Sequence, residues 1–337
     1  MQLKDLLKAD INLSFSNTVK HIGNLNITGI IGTIGAVYEK NGGPFLVICA
    51  DNFVAQSIKS TLVAVLPKVK VEYLQDWETL PYDTLSPHQD IVSSRISILS
   101  RLKSLKNEIV VTTVQAIMPR LSPVDYIKAN SFSISKGDIR DIQEIQKEMT
   151  SHGYLRVEQV LAPGELAIRG SILDIYPMGS DVPYRIDFFD DEVDSIRVFD
   201  VDTQRSLEQI DKIALLPAHE YPLNEKSISV FRSNYRDAFI GANFASHSIY
   251  QAISRGAIPA GIEYYMSLFF SSMSSIFEYL SDDYKIITVD DVKKAVTEFD
   301  VEAHKRALEF AGNSDHPPLP VSQVFLNPQE VFDNLKK

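Results

Sequence analysis

The sequence is poor in the residues that usually announce chemistry. Among 337 residues there is one cysteine, Cys49, inside the apolar run Phe45–Ala50. A lone thiol closes no intramolecular disulfide and builds no thiolate cluster, so a disulfide-stapled scaffold and a zinc ribbon are both excluded and a reducing compartment is expected. The seven histidines, His21, His88, His152, His219, His247, His304 and His316, include no i, i+4 pair, which leaves a zinc site without support. No Gly-x-Ser-x-Gly elbow is present, so nucleophilic catalysis has no visible seat. No apolar run approaches the roughly 20 residues that span a bilayer, and the charged, amphipathic Met1–Lys8 lacks a signal-peptide core. A soluble, cytoplasmic protein is expected.

Positive charge is scarce too. Lys and Arg number 33 against 44 Asp and Glu, a formal net charge of −11. Nucleic-acid backbones are held by clustered Lys and Arg, so this balance disfavours wrapping of DNA or RNA by the whole module while leaving room for a local basic patch. What is present is an ordinary globular composition, 45% hydrophobic and 23% charged, in a chain long enough for two or three domains. It contains no internal repeat and no low-complexity segment.

Along the chain, residues 27–120 read as buried strands alternating with helices. Phe45–Ala50 is a short apolar strand, and Asp51 offers an N-cap to a helix running through Leu66 to the break at Pro67. Val69–Leu74 and Ile109–Val114 read as further strands and Ile91–Lys103 as a helix, the βαβ pattern of a parallel sheet. From about residue 121 the texture changes. A helix to Thr150 precedes three expected strands, Glu165–Tyr176, Tyr184–Phe189 and Val193–Phe199, joined by turns at Met178–Pro183 and Asp190–Glu192. After Leu215–His219 the chain returns to helix-rich material that includes Ile249–Ile253 and the apolar stretch Tyr264–Leu280. Ile286–Val289 reads as one more strand of the first sheet. The expected architecture is an α/β domain interrupted by an antiparallel α+β unit, with boundaries at 1–120, 121–212 and 213–337. The absence of any catalytic element up to Leu335 points to a fragment of something larger.

Three motifs carry chemical meaning. Thr28–Ala36 holds Gly29, Gly32 and Gly35 between an expected strand and an expected helix, where a phosphate-binding loop belongs. The positions that should supply a phosphate-binding Lys and a magnesium-binding Ser or Thr carry Gly35 and Ala36, so a tight glycine turn without nucleotide chemistry is expected. Ile286–Val292 ends in Asp290 and Asp291, which resemble a metal-binding acidic motif but suit helix capping equally. In Tyr184–Phe189, alternation sends Tyr184, Ile186 and Phe188 to one face and Arg185, Asp187 and Phe189 to the other. An aromatic flanked by Arg on an exposed face has the composition of an interface anchor, and Arg169 of the preceding strand can join it. The alternative is that the helix Asp141–Met149 covers Phe189 and the arginines merely lie along the surface.

Trp77–Asp83, Ser86–Asp90 with Arg95, Arg169-Gly170, Leu173–Ser180, Tyr184–Glu192, Arg197–Asp200, Leu216–Glu220 and Ile258–Glu263 together resemble the N-terminal part of the bacterial transcription-repair coupling factors, the Mfd family. The resemblance runs from about residue 27 to the end. It implies a UvrB-like module with a degenerate P-loop, RecA-like nucleotide-binding domain, interrupted by an inserted domain that binds UvrA. It also implies that Arg169, Arg185 and Phe189 lie on the UvrA-contacting surface.

The resemblance further implies that the ATP- and magnesium-dependent translocase motor, and the contacts to RNA polymerase and DNA, lie beyond residue 337. No cofactor or metal is expected in this fragment. The resemblance also implies autoinhibition, with the docking face covered by a distant part of the full-length chain until polymerase is engaged. Relative to UvrB itself, the glycine motif lacks its Lys and Thr, and Tyr82–Arg95 is too short for the long hairpin with which UvrB clamps DNA. The leading expectation is a non-catalytic recruitment module. A UvrB-like nucleotide-dependent DNA-binding domain is the rival.

Overall fold

The computed structural model describes residues 20–336. Helix α1 (Ile27–Asn41) is followed by strand β1 (Phe45–Cys49), α2 (Asn52–Val65), β2 (Val71–Leu74), α3 (Gln89–Arg101) and β3 (Ile109–Thr113). The first helix corrects the expectation of a glycine turn. Ile27, Ile30, Ile31, Ile34 and Val37 recur at helical spacing, and burial of Ile31, Ile34 and Val37 against α2 and β1 overrides the poor helix propensity of three glycines. Asn26 starts the helix, its Oδ1 accepting from the Gly29 amide at 2.9 Å. In α2 the Asp51 carboxylate caps the Val54 amide at 2.9 Å, as its sequence position implied.

Next come β4 (Phe132–Ser135), α4 (Ile142–Ser151), β5 (Leu155–Arg156), β6 (Glu165–Arg169), β7 (Ile172–Ile175), β8 (Tyr184–Phe189), β9 (Glu192–Phe199), β10 (Ser206–Ile210) and β11 (Lys212–Leu215). The expected single strand Glu165–Tyr176 is thus two strands. Gly170, at φ +63°, opens a two-residue hairpin loop with Ser171, and Arg169 pairs back onto Ile172. The third region contributes α5 (Glu225–Ala238), α6 (Ser248–Ser254), β12 (Lys285–Val289) and α7 (Val292–Glu309), with Asp291 capping α7. The apolar stretch Tyr264–Leu280 forms 3₁₀ turns at Ile262–Phe269 and Ile276–Tyr279.

Four strands build a parallel sheet in the order β12-β1-β3-β2, so the strand read near residue 286 does return to the first sheet. Both faces of that sheet are covered, which is why β1 is apolar throughout and every residue of β3 is buried. Phe45, Val47, Cys49, Ile109 and Val111 face α1 and α2, while Leu46, Ile48 and Val110 enter the core containing Ile96 and Leu99 of α3.

A six-stranded sheet, β10-β9-β8-β7-β6-β5, is antiparallel apart from its β5–β6 edge, and β4 pairs with β11 in a small ribbon. The inner face of the six-stranded sheet carries Leu166, Leu173, Ile175, Ile186, Phe188, Val193 and Ile196. These join the same continuous core as Leu46, Ile48 and the α4 residues Ile145 and Met149. The junction is also ionic: Arg95 of α3, fully buried, donates from Nε to Glu220 Oε1 at 2.8 Å and from Nη1 to the Gln75 carbonyl at 2.6 Å. A separate aromatic cluster of Trp77, Tyr82, Phe231, Tyr235, Tyr264, Phe269 and Phe325 packs the third region. Among the described residues no helix is long and apolar enough to cross a membrane.

Candidate functional site

With one face of the six-stranded sheet spent on the core, its other face decides what the unit can recognise. Cross-strand partners point to the same side, so register places residues in rows. One row runs Ala167, Asp174, Arg185, Arg197 across β6, β7, β8 and β9; the next runs Arg169, Ile172, Asp187, Ser195. Arg169 therefore stands two strands from Arg185, across β7, and not on its hairpin partner as the sequence pattern implied. The two arginines meet nonetheless, because Asp174 lies between them.

Asp174 is the pivot. Its carboxylate is 1% exposed and accepts from Arg185 Nε at 2.7 Å and Nη2 at 2.9 Å, and from Arg169 Nη2 at 2.5 Å. The Arg185 guanidinium, 16% exposed, also donates to the Gln204 carbonyl at 3.1 Å and lies 5.0 Å from the Phe199 ring centroid. Its hydrogen bonds to Asp174 raise its pKa, so its charge is permanent. Arg169 is 53% exposed and keeps most of its donor fork in solvent. Asp187 accepts from Ser195 Oγ at 2.9 Å and Arg197 Nη1 at 3.0 Å, continuing the ladder.

Phe189 closes β8 at the hairpin tip and is 74% exposed, whereas its neighbour Phe188 is buried. Helix α4 therefore covers the inner face and leaves Phe189 free. The tip beside it, Asp190-Asp191-Glu192, is acidic, so the face is polar in charge: fixed arginines along the strands, carboxylates at the turn. The surface carries cations fixed by carboxylates and one exposed aromatic side chain, the residue types enriched at protein interfaces.

The other candidate site is differently built. Gly29, Gly32, Gly35 and Ala36 all lie inside α1, the last three buried, so they form no loop around a phosphate. The carboxyl ends of the parallel strands, where α/β sheets place ligands, are flanked by Asp51, Asp76 and Asp290. Burial, with Asp290 and Asp51 close by, pushes the Cys49 thiol up to about 12. Among the described residues no group of His, Cys, Asp or Glu is arranged to hold a metal ion.

Sequence reasoning selected Arg169, Arg185 and Phe189 and placed Asp187 on the same face, but did not single out Asp174 or Arg197. The signal for Asp174 was available: a two-residue turn at Gly170-Ser171 fixes the β6–β7 register and sets Asp174 opposite Arg185 one strand further on.

The sequence profile of the UvrB interaction domain matches residues 132–221, the segment that contains this face. The transcription-repair-coupling factor of Haemophilus influenzae is 40% identical over 320 residues, covering 95% of this chain and 28% of that protein. The protein of the same name from Escherichia coli is 37% identical over 316 residues, covering 94% of this chain and 27% of its own length. The Bacillus subtilis protein is 27% identical over 307 residues. The chain thus spans little more than a quarter of these relatives. Near-complete alignment of the chain to these proteins, with the UvrB interaction domain inside it, shows that the chain belongs to the transcription-repair-coupling-factor family.

Proposed function

We propose that the outer face of the six-stranded sheet docks UvrA, and that the chain acts as a recruitment module without chemistry of its own. The observation that carries this reading is Phe189, a large aromatic left 74% exposed on a rigid strand beside arginines clamped by a buried carboxylate. In this reading Phe189 fills an apolar pocket on UvrA, Arg169 and Arg197 face carboxylates there, and Arg185 holds the surface in shape. The parallel-sheet domain is the scaffold. The module would bring UvrA to RNA polymerase stalled at a DNA lesion in transcription-coupled excision repair, in the cytoplasm. RNA polymerase, DNA and ATP with magnesium would be engaged by the remainder of the full-length protein.

The rival, a UvrB-like nucleotide-dependent DNA-binding domain, is disfavoured by the capped N-terminus of α1 and by the acidic strand ends, which would repel triphosphate. Calorimetric titration of the chain into purified UvrA tests the proposal. Saturable binding that Phe189→Ala weakens at least about thirtyfold, the size of an interface hot spot, supports it. Absence of binding by the unaltered chain overturns it.

A further inference from the structure

Beside the hairpin tip lies a second exposed apolar side chain that the sequence pattern did not single out. The segment Asp138–Arg140 lies against the start of β9, where Ile139 forms a single antiparallel bridge with Glu192, whose other neighbour is Phe189 of β8. Bridged partners share a face, so Ile139, Glu192 and Phe189 form one row across three neighbouring segments. At the usual strand spacing the two apolar residues stand about 10 Å apart with a carboxylate between them. Ile139 is 71% exposed, close to the exposure of Phe189.

The backbone around Ile139 is fixed. The Arg140 amide donates to the Asp191 carbonyl at 2.7 Å, the Val193 amide to Asp138 O at 2.9 Å, and the Gly137 amide to Val193 O at 2.8 Å. The polar side chains of the segment are committed to the fold: Asp138 Oδ2 accepts from the Ser135 amide at 2.7 Å, and Arg140 donates to Glu148 at 2.6 Å while lying over the Phe132 ring. The segment thus uses its polar residues to hold itself and leaves the isoleucine in water. A rigid, solvent-facing apolar side chain loses little freedom when covered, which favours association.

We propose that Ile139 is a second anchor of the docking face, acting with Phe189 as one apolar unit astride Glu192. This rests on the reading of the face as a UvrA-docking surface and specifies what that surface must meet. The partner presents an apolar recess about 10 Å long, with a cationic or hydrogen-bond-donating group over Glu192 and acidic groups further along the strands over Arg169 and Arg197. Continuity supports the assignment to the same partner, since Ile139 and Phe189 both fall within residues 132–221, matched by the UvrB interaction domain.

Titration of purified UvrA with the chain and its Ile139→Ala, Ile139→Leu, Phe189→Ala and double Ala variants tests this, with Leu207→Ala on edge strand β10 as an exposed apolar control outside the row. Unchanged melting curves establish that each variant is folded. The expected results are an affinity loss of about five- to thirtyfold for Ile139→Ala, near-retention for Ile139→Leu and Leu207→Ala, and a double variant weaker than either single one but less than additive, because both side chains enter one recess. If Phe189→Ala weakens binding while Ile139→Ala stays within twofold of the unaltered chain, the second anchor is refuted and the docking reading stands. If the unaltered chain does not bind, both fall.

Discussion

Replacing Arg185 by alanine should damage the fold as much as the interface. The guanidinium makes two charge-assisted hydrogen bonds to a carboxylate that is 1% exposed, and one more to the Gln204 carbonyl. Its removal leaves Asp174 buried with only the half-exposed Arg169 as partner. Breaking a buried pair from one side costs about 3–5 kcal/mol, because the surviving charge has lost its compensation. Water reaching Asp174 through the vacated space, and the remaining bond from Arg169, place the expected loss at about 3 kcal/mol.

The assay must resolve which part of the molecule gives way. The single tryptophan, Trp77, lies in the aromatic cluster of the third region, so its fluorescence reports unfolding there, while far-ultraviolet circular dichroism also registers the six-stranded sheet. In Arg185→Ala the dichroism transition should move to lower denaturant ahead of the fluorescence transition, and amide exchange in β7 and β8 should accelerate. An Arg185→Ala variant with an unmoved transition and abolished UvrA binding would refute this reasoning, showing Arg185 to be a contact and not a clamp. Arg185→Lys should recover little, since a point charge cannot reproduce the two-pronged contact.

Phe189→Ala is the complementary case: the ring is mostly in solvent, so stability measured by urea denaturation should stay within about 0.5 kcal/mol while UvrA binding is lost. Millimolar ATP with magnesium should leave the thermal midpoint unmoved, because ligand binding to the folded chain would raise it; a clear upward shift would restore a nucleotide site. Glu263, whose Oε2 accepts from Ser86 Oγ at 2.8 Å, has its pKa raised to about 7 by burial, with Glu220 adding to the effect. A raised carboxyl pKa contributes stability that is complete below the unfolded value of about 4.3 and is lost as pH rises through about 7. Urea midpoints measured from pH 5 to pH 8 should therefore fall less steeply in Glu263→Gln than in the unaltered chain, and equal slopes would contradict the assignment.

The parts of the fold that sequence conveyed are those where one physical requirement dominates. Phe45–Cys49 is apolar at every position and Ile109–Thr113 is buried along its whole length, with β-branched side chains throughout, because both faces of their sheet are covered, and that pattern has few other readings. Period-two alternation likewise separated Phe188 from Phe189. Thr28–Ala36 misled because two requirements compete there. Its glycines read as a loop, but Ile31, Ile34 and Val37 fall at helical spacing, and burial outweighs propensity.

On the face proposed for docking, the outward placement of Arg185 and Phe189 is legible from a single strand. The placements of Asp174 and Ile139 are not, because they arise from register between segments distant in the chain. Asp174 depends on a turn that was read as the interior of one strand. Ile139 depends on a bridge to β9 that no local pattern announces.

The central claim is that UvrA docks on the outer face of the inserted sheet and leaves the parallel-sheet domain uncovered. Hydrogen exchange of the chain, measured residue by residue with and without saturating UvrA, tests it most directly. The account expects slowed exchange at 137–140 and across 185–197, with none around Asn26–Gly29 or Asp51. Protection confined to α1 and the carboxyl ends of the parallel strands would contradict it.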